Sequence, residues 1–425
     1  MVGYVDNFLW FYLLLLFMYN ILDLKFKSLV EERVCSNRGI LFVFLIGLIL
    51  SSELYLFWGL EVGKYGQFLC GISALILSSM RIEKKNFISC TLFFIFYLYA
   101  SLYVLDLNLL GRLFSFLPFF VFFLKKRDIQ KVYTLYQDFF VYTITISLVV
   151  YLLVVWIGYD LPYSIIEPLN KLKSYNYLAY PFCVISDNDY FSHFRFCGCY
   201  DEPGVVGTIV GVMLITNRWN MRDWKNVVLL LSGVFSFSLY FYLLQFLYFL
   251  LYAKLQYKIA VLLLLTGLFL YLQNDELVNK FLLDRLEFSD GEFSGDNRTS
   301  TSFDSWYGDF LFTINFWIGC GKGMAEIVDS GGASYKHLIV DHGFIMFVIY
   351  MFSFLYLIWR NHSVSKKSLI IIIVLFSLIY QRPFIFNYLY LFLLVSNVMC
   401  FDGTINTQIE NINKVSASPI TRLMG

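Results

Sequence analysis

Apolar residues recur along this chain in runs long enough to cross a bilayer, for which roughly 20 mostly apolar residues suffice. The runs fall at 8–22, 40–60, 66–80, 87–105, 109–124, 139–158, 205–216, 227–252, 259–272, 338–359, 368–380 and 384–400. Backbone N–H and C=O groups find no water in hydrocarbon, so each run predicts a helix. The first run is preceded by no basic residue and followed by no small-residue cleavage site. It therefore reads as a first span rather than a cleaved signal peptide. Basic residues cluster between the runs, at Lys25/Lys27/Arg33/Arg38, Arg81/Lys84/Lys85, Lys125/Lys126/Arg127/Lys131, Arg218/Arg222/Lys225, Lys254/Lys258 and Arg360/Lys366/Lys367. These clusters occupy alternate loops through most of the chain, and basic loops mark the cytoplasmic side. The remaining loops are then external, including the two longest, 159–204 and 274–336. Between Asp275 and Lys336 stand 11 acidic and 5 basic residues, which suits an external loop.

The stretch 227–252 strains this scheme. Both long loops are external only if it enters and returns, yet a full helical hairpin needs roughly 40 residues. Two short helices broken near Ser236/Ser238 would satisfy the count, since broken helices are tolerated where they line protein or a water-filled cavity. One long tilted span, with an orientation misread elsewhere, is the alternative. The pattern predicts an all-α fold, a polytopic transmembrane helix bundle of about 12–13 spans. Its divisions are an N-terminal transmembrane bundle (1–158), a first long periplasmic loop (159–204), central transmembrane helices (205–273), a second long periplasmic loop (274–336), C-terminal transmembrane helices (337–400) and a cytoplasmic tail (401–425).

Composition agrees with the pattern. Of 425 residues 59% are hydrophobic and 15% charged, against about 45–50% and about 25% in soluble domains. The net charge of +1 supplies no basic face for a nucleic acid, so none is expected as partner. Eight cysteines are scattered without C-x-x-C spacing, so no zinc or redox centre, and no other cofactor, is expected. Cys183, Cys197 and Cys199 would meet an oxidising periplasm, and the sequence leaves open whether any two pair.

The densest polar cluster closes the first long loop: His193, Arg195, Gly198, Asp201, Glu202, Pro203 and Gly204. Arginine offers a planar fork of donors to phosphate or carboxylate. Gly198 permits close backbone approach of a ligand. Pro203 at a helix start leaves neighbouring N–H groups for an anion. An arginine snorkelling to the surface and paired with Glu202 would also explain the cluster. The second loop carries Arg298, then Gly319, Gly321, Lys322 and Gly323, then Lys336, His337 and Asp341. The glycine run follows no strand, so it is a turn rather than a dinucleotide fingerprint. With Lys322 and Arg298 it suits an anion, or it is a solvated loop. His337 at the external interface suits proton transfer. Asp341, one helical turn on, shares its face and could orient the imidazole, although such a pair is also an ordinary structural device. Glu53, Glu61 and Arg112 lie in or beside spans, where charges are costly. Arg382, in the short external link 381–383, could face the same cavity as Arg195.

At these residues the chain resembles the O-antigen polymerase and ligase group of membrane glycosyltransferases. That group shows Arg-x-x-Gly followed by Glu-Pro at the end of a large external loop, as do Arg195, Gly198 and Glu202-Pro203 here. Arg298, Gly319/Gly321/Gly323 and Gly343 follow the group's order in the second loop, and Ser236 and Ser238 match a Ser-x-Ser before a re-entrant stretch. The specific motifs cover about 60 residues. Two departures stand out: Tyr335-Lys336-His337-Leu338 replaces the ligases' His-Asn pair, which favours a polymerase, and Val206 and Asp309 replace the glycines of an Arg-x10-Gly pattern seen in some polymerases. The second departure leaves the roles of the two arginines open.

The resemblance implies a multi-pass protein of the bacterial inner membrane. Its partner would be an undecaprenyl-pyrophosphate-linked oligosaccharide, with the lipid bilayer around it and a chain-length regulator as a candidate partner. The implied activity is an O-antigen polymerase joining lipid-linked repeat units at the periplasmic face. Arg195 and Arg298 would act on the pyrophosphate, with Glu202 or His337 as base. Gly198, Lys322, Lys336, Asp341 and Arg382 would lie in the substrate site, with no metal. An O-antigen ligase and a lipid-linked oligosaccharide flippase are the competing expectations.

Overall fold

The computed structural model describes residues 38–52, 54–58, 62–79, 91–92, 117–168, 175–188, 193–259, 263, 288–289, 292–293, 299–321, 323–329, 334–363, 365–382 and 387–401. Apart from a few positions, the expected spans 8–22, 87–105 and 259–272 and the tail lie outside the described residues, as do Glu53, Glu61 and Arg112.

The described chain is mostly helical. Helices α1 (Arg38–Leu50), α2 (Val62–Ser79) and α3 (Lys126–Tyr151) come first, and α3 runs on through a π-helical turn, Leu152–Trp156. Next come α4 (Pro203–Thr216), α5 (Trp224–Phe235) and α6 (Leu239–Tyr252). The second long region contributes α7 (Thr301–Phe310), α8 (Ile314–Ile318) and α9 (Met324–Val328). Last are α10 (Tyr335–His342), α11 (Phe344–Asn361), α12 (Lys366–Gln381) and α13 (Tyr388–Cys400). Among the described residues two helices are long and apolar enough to cross a membrane: the 31-residue Lys126–Trp156 and the 18-residue Phe344–Asn361.

Three expectations change in detail. The all-α expectation misses a three-stranded antiparallel sheet in the first long region, β1 (Ser164–Ile166), β2 (Tyr177–Tyr180) and β3 (Cys183–Ser186). Leu178 stands between Ile165 and Ile185, and Tyr177 between Ile166 and Ser186, and the β2–β3 hairpin closes through Phe182 at φ 58°. A two-stranded ladder, β4 (Phe288–Ser289) and β5 (Glu292–Phe293), lies in the second. The basic residues Lys126, Arg127 and Lys131 sit on the first turns of α3 rather than in a loop before it. The run 338–359 is two helices, broken at Gly343 with φ 85°. The run 227–252 is also two helices, broken at Ser236–Ser238 with Phe237 at φ 46°. At 12 and 14 residues they are about 18 and 21 Å long, short of a hydrocarbon thickness of about 30 Å.

The helix starts are chemically marked. Asp223 accepts from Lys225 N at 3.1 Å, and Asn387 accepts from Leu389 N at 2.9 Å. Both are N-cap bonds to otherwise orphan donors. Pro203 opens α4, where a missing N–H costs nothing.

Contacts fix which way the helices run. Helices α4 and α13 are the centre: Val205–Thr216 and the whole of α13 are buried, and both are apolar all round. Their C-termini meet, since Asn397 Nδ2 donates to Thr216 Oγ1 at 2.8 Å and Arg218 Nε donates to Phe401 O. Helix α6 lies parallel to α4, with Ser238 against Gly207 and Gln245 Nε2 donating to Gly211 O at 3.2 Å. Helix α3 is antiparallel to α4: Tyr133 OH near its start donates to Asn217 Oδ1 at 3.1 Å, and Tyr151 at its end donates to Phe194 O. His362, after α11, bonds Val398 O beside the same C-termini.

One end of the bundle therefore gathers Lys125–Lys131, Arg218–Lys225, Lys254, Arg360 and Lys366–Lys367 from four separate basic clusters. Cations there also meet the C-termini of α4, α6 and α13, the negative ends of those helices. The sheet, Arg195, Glu202 and Arg382 lie at the opposite end.

Candidate functional site

The end opposite the basic clusters is built from chain reversals. Segment 195–200 is pinned on three sides by its own backbone. Phe196 N donates to Phe235 O at 2.9 Å, Val184 N donates to Gly198 O at 2.8 Å, and Tyr55 N donates to Cys199 O at 2.8 Å. Arg195 is thereby held against the α5–α6 break, where its Nη2 donates to Phe237 O at 3.4 Å. Two residues beyond the pinned segment, Glu202 takes the N-cap position of α4. Its carboxylate receives Nη2 of Arg382, which is buried at the C-cap of α12. Arg195, Glu202 and Arg382, 187 residues apart in the chain at the extremes, thus meet at one end of the bundle.

Three parallel helices also begin there. Since α4, α6 and α13 end together, their N-termini all face the arginine end. Each brings a partial positive charge of about half a unit and N–H groups that have no intrahelical partner. Helices α3, α5 and α12 end at the same place, so their partial negative charges offset those of the three starts, and the positive groups there are the guanidiniums of Arg195 and Arg382. Glu202 is a carboxylate there in contact with an arginine.

Gly198 has φ 59°, and a Cβ there would lie 2.6 Å from Ile144 Cδ1. Its close approach is to α3, where the position packs the loop against that helix. The cysteines on either side of it are buried thiols, and no disulfide occurs among the described residues. Burial pushes the Cys183 thiol well above its ordinary value and Cys199 up to about 12, with a hydrogen bond from the Ser147 side opposing the latter shift.

The second long region forms a separate cluster that abuts the first. Tyr335 packs on Tyr380 with ring centroids 6.2 Å apart, which sets the start of α10 beside the end of α12 and hence beside Arg382. His337, in the first turn of α10, bonds Asp329 Oδ2 through Nε2 at 2.8 Å. Asp329 is buried, and its other oxygen accepts from Ser300 N at 3.2 Å. The Phe303 ring meets the imidazole edge-on at 5.2 Å. The carboxylate that orients His337 is therefore Asp329 and not Asp341. Asp341 instead accepts from Gly323 N and Ala325 N, each at 2.9 Å, and so closes the glycine turn. Burial raises its carboxyl above the ordinary value, against those two N–H groups and the nearby His337. Lys336 is engaged by Asp304 Oδ1 at 2.6 Å and lies 5.5 Å from the Tyr307 ring centre. Arg298 and Lys322 lie outside the described residues.

Two residues escaped the sequence reading. Asp329 is one of many loop acids, eight positions before His337, and no helical spacing links them. Asp138, 2% exposed inside α3, pairs with Lys225 of α5 near the basic end. An acid bordering an apolar run was its available signal. Among the described residues no group of His, Cys, Asp and Glu has the arrangement to hold a metal ion.

No family model matches the chain, and neither does any curated protein or solved structure.

Proposed function

We propose that this chain is an integral membrane glycosyltransferase of the O-antigen polymerase kind, joining lipid-linked oligosaccharide repeats on the side of the bilayer opposite its basic loops. Membrane embedding is supported by the two long apolar helices and by the gathering of four basic clusters at one end. The observation that carries the catalytic reading is the placement of Arg195 and Arg382 together at the other end. Such an arrangement suits the charge that builds on a departing pyrophosphate. Donors fixed in place before reaction stabilise that charge without reorganising.

In this reading an acceptor hydroxyl attacks the anomeric carbon of the growing chain. The bond from that carbon to the pyrophosphate oxygen breaks, and the lipid pyrophosphate leaves against the arginines. Glu202 holds Arg382 in position. His337 removes the hydroxyl proton, and Asp329 fixes the ring and stabilises its cationic form. Arg298 remains a candidate third guanidinium for the pyrophosphate.

Deleting the gene and resolving the surface polysaccharide by electrophoresis tests the proposal. A single repeat on the lipid core, with no ladder, is the expected outcome. Loss of every repeat from the core with lipid-linked polymer accumulating would make the chain a ligase. Single repeats trapped on the cytoplasmic side would make it a flippase, and an unchanged profile would overturn the proposal. Restoring the gene with Arg195→Ala or Arg382→Ala should leave the protein inserted and the ladder absent.

A further inference from the structure

The second long region carries an apolar elbow that the proposed chemistry does not use. Between and along α7 and α8, Leu311, Phe312, Ile314, Trp317 and Ile318 are exposed, Phe312 at 92%. No charged residue stands between Asp309 and Lys322. The exposed face of α7 is of the opposite character: Thr301, Ser302, Ser305 and Asp309.

The backbone fixes the height of this elbow on the bundle. Cys320 N donates to Val340 O at 2.7 Å, and Gly321 N donates to Asp341 O at 3.1 Å. Gly319 and Gly343, at φ 87° and 85°, pass so closely that a Cβ on Gly343 would lie 2.5 Å from Trp317 O. Phe316 stacks on Phe344 at 5.1 Å and 17°. Phe344 is the first residue of α11, the 18-residue apolar helix, whose exposed stripe is Ile345, Val348, Phe352 and Trp359. The elbow continues that stripe beyond the helix start.

We infer that the elbow 311–318 is seated in the interfacial layer of the bilayer leaflet at the arginine end, with phospholipid as its occupant. The inference rests on the proposed membrane embedding of α11. A helix that enters the hydrocarbon at Phe344 puts a rigidly joined neighbour at the headgroup–acyl boundary. Aromatic side chains with uncharged neighbours favour that layer, while the polar face of α7 stays in water. The seat holds the His337–Asp329 pair at the level where the headgroup of a lipid-linked substrate would lie.

The test places a photoreactive benzophenone side chain at Phe312, at Phe352 or at Thr301 in the full chain, reconstituted into phospholipid nanodiscs. After illumination, intact mass identifies what each position has captured. Phospholipid adducts at Phe312 and Phe352, with none at Thr301, are expected. An adduct at Phe352 without one at Phe312 overturns this inference and leaves the membrane reading standing. Absence at both positions overturns the membrane reading itself. Capture of a second copy of the chain at Phe312 overturns the inference in favour of self-association, and equal lipid adducts at Phe312 and Thr301 overturn it as unselective.

Discussion

The arginine end depends on how closely α4 and α6 approach, and Gly207→Ala tests that dependence. A Cβ on Gly207 would lie 2.4 Å from Ser238 Cβ and 2.7 Å from Ser238 Oγ. Carbon atoms settle at about 3.5–4.0 Å, so the two helices must part by roughly 1 Å. Overpacking of this size costs about 1–3 kcal/mol, on the order of 10–100-fold in the folded ratio. The same displacement moves the α5–α6 break, and Phe237 O with it, relative to Arg195. A misplacement of about 1 Å lowers rate by on the order of 10²-fold. Gly207→Ala should therefore melt earlier in detergent, followed by fluorescence-detected gel filtration, and should give a shortened ladder in cells. Ser238→Gly removes both crowding atoms, at a cost of only about a few tenths of a kcal/mol at an N-cap. The double variant should recover both the melting temperature and the ladder. A single variant with wild-type melting and ladder, or a double variant no better than the single, would refute the reasoning.

Three further outcomes follow from the same geometry. Lys225→Ala removes the ion pair of the buried Asp138 and should destabilise by about 1.5–3 kcal/mol; adding Asp138→Asn should recover part of the loss in the same melting assay. Asp329→Asn keeps the shape of the pocket but removes the charge behind His337, and polymerisation in vitro should fall by about 10²–10⁴-fold, whereas an undiminished rate would remove His337 from the role of base. A water-soluble maleimide at neutral pH should label neither Cys183 nor Cys199 in the folded protein, because burial holds both as thiols, Cys199 with its value up at about 12; both should label after denaturation, and labelling before it would contradict the burial.

Much of the helical layout was legible in the sequence because apolar runs and their polar ends are local properties. The start of α4 at Pro203, the end of α12 near Gln381 and the break near Ser236 all follow from local chemistry. Gly343 was readable as well, since a glycine often ends a helix, yet the unbroken hydropathy of 338–359 concealed it. The β strands were hidden for a different reason. Their four-residue segments pair only when the hairpin at Phe182 brings them together, and no periodicity in so short a run announces that.

The site divides along the same line. Arginine, Glu-Pro and histidine at the edges of apolar runs are chemically conspicuous wherever they fall, so Arg195, Glu202, His337 and Arg382 were nameable from residue type and position alone. Their partners were not. Arg382 lies 180 residues from Glu202 and Asp329 eight residues from His337, and neither separation has a local geometric meaning. The parallel run of α4, α6 and α13, which turns three helix starts toward the arginines, is likewise absent from any stretch of sequence. Hydrophobic pattern determined most of the helices because it is a sum over neighbouring residues. Pairing and direction were decided only by tertiary packing, because they join groups that the chain itself keeps far apart.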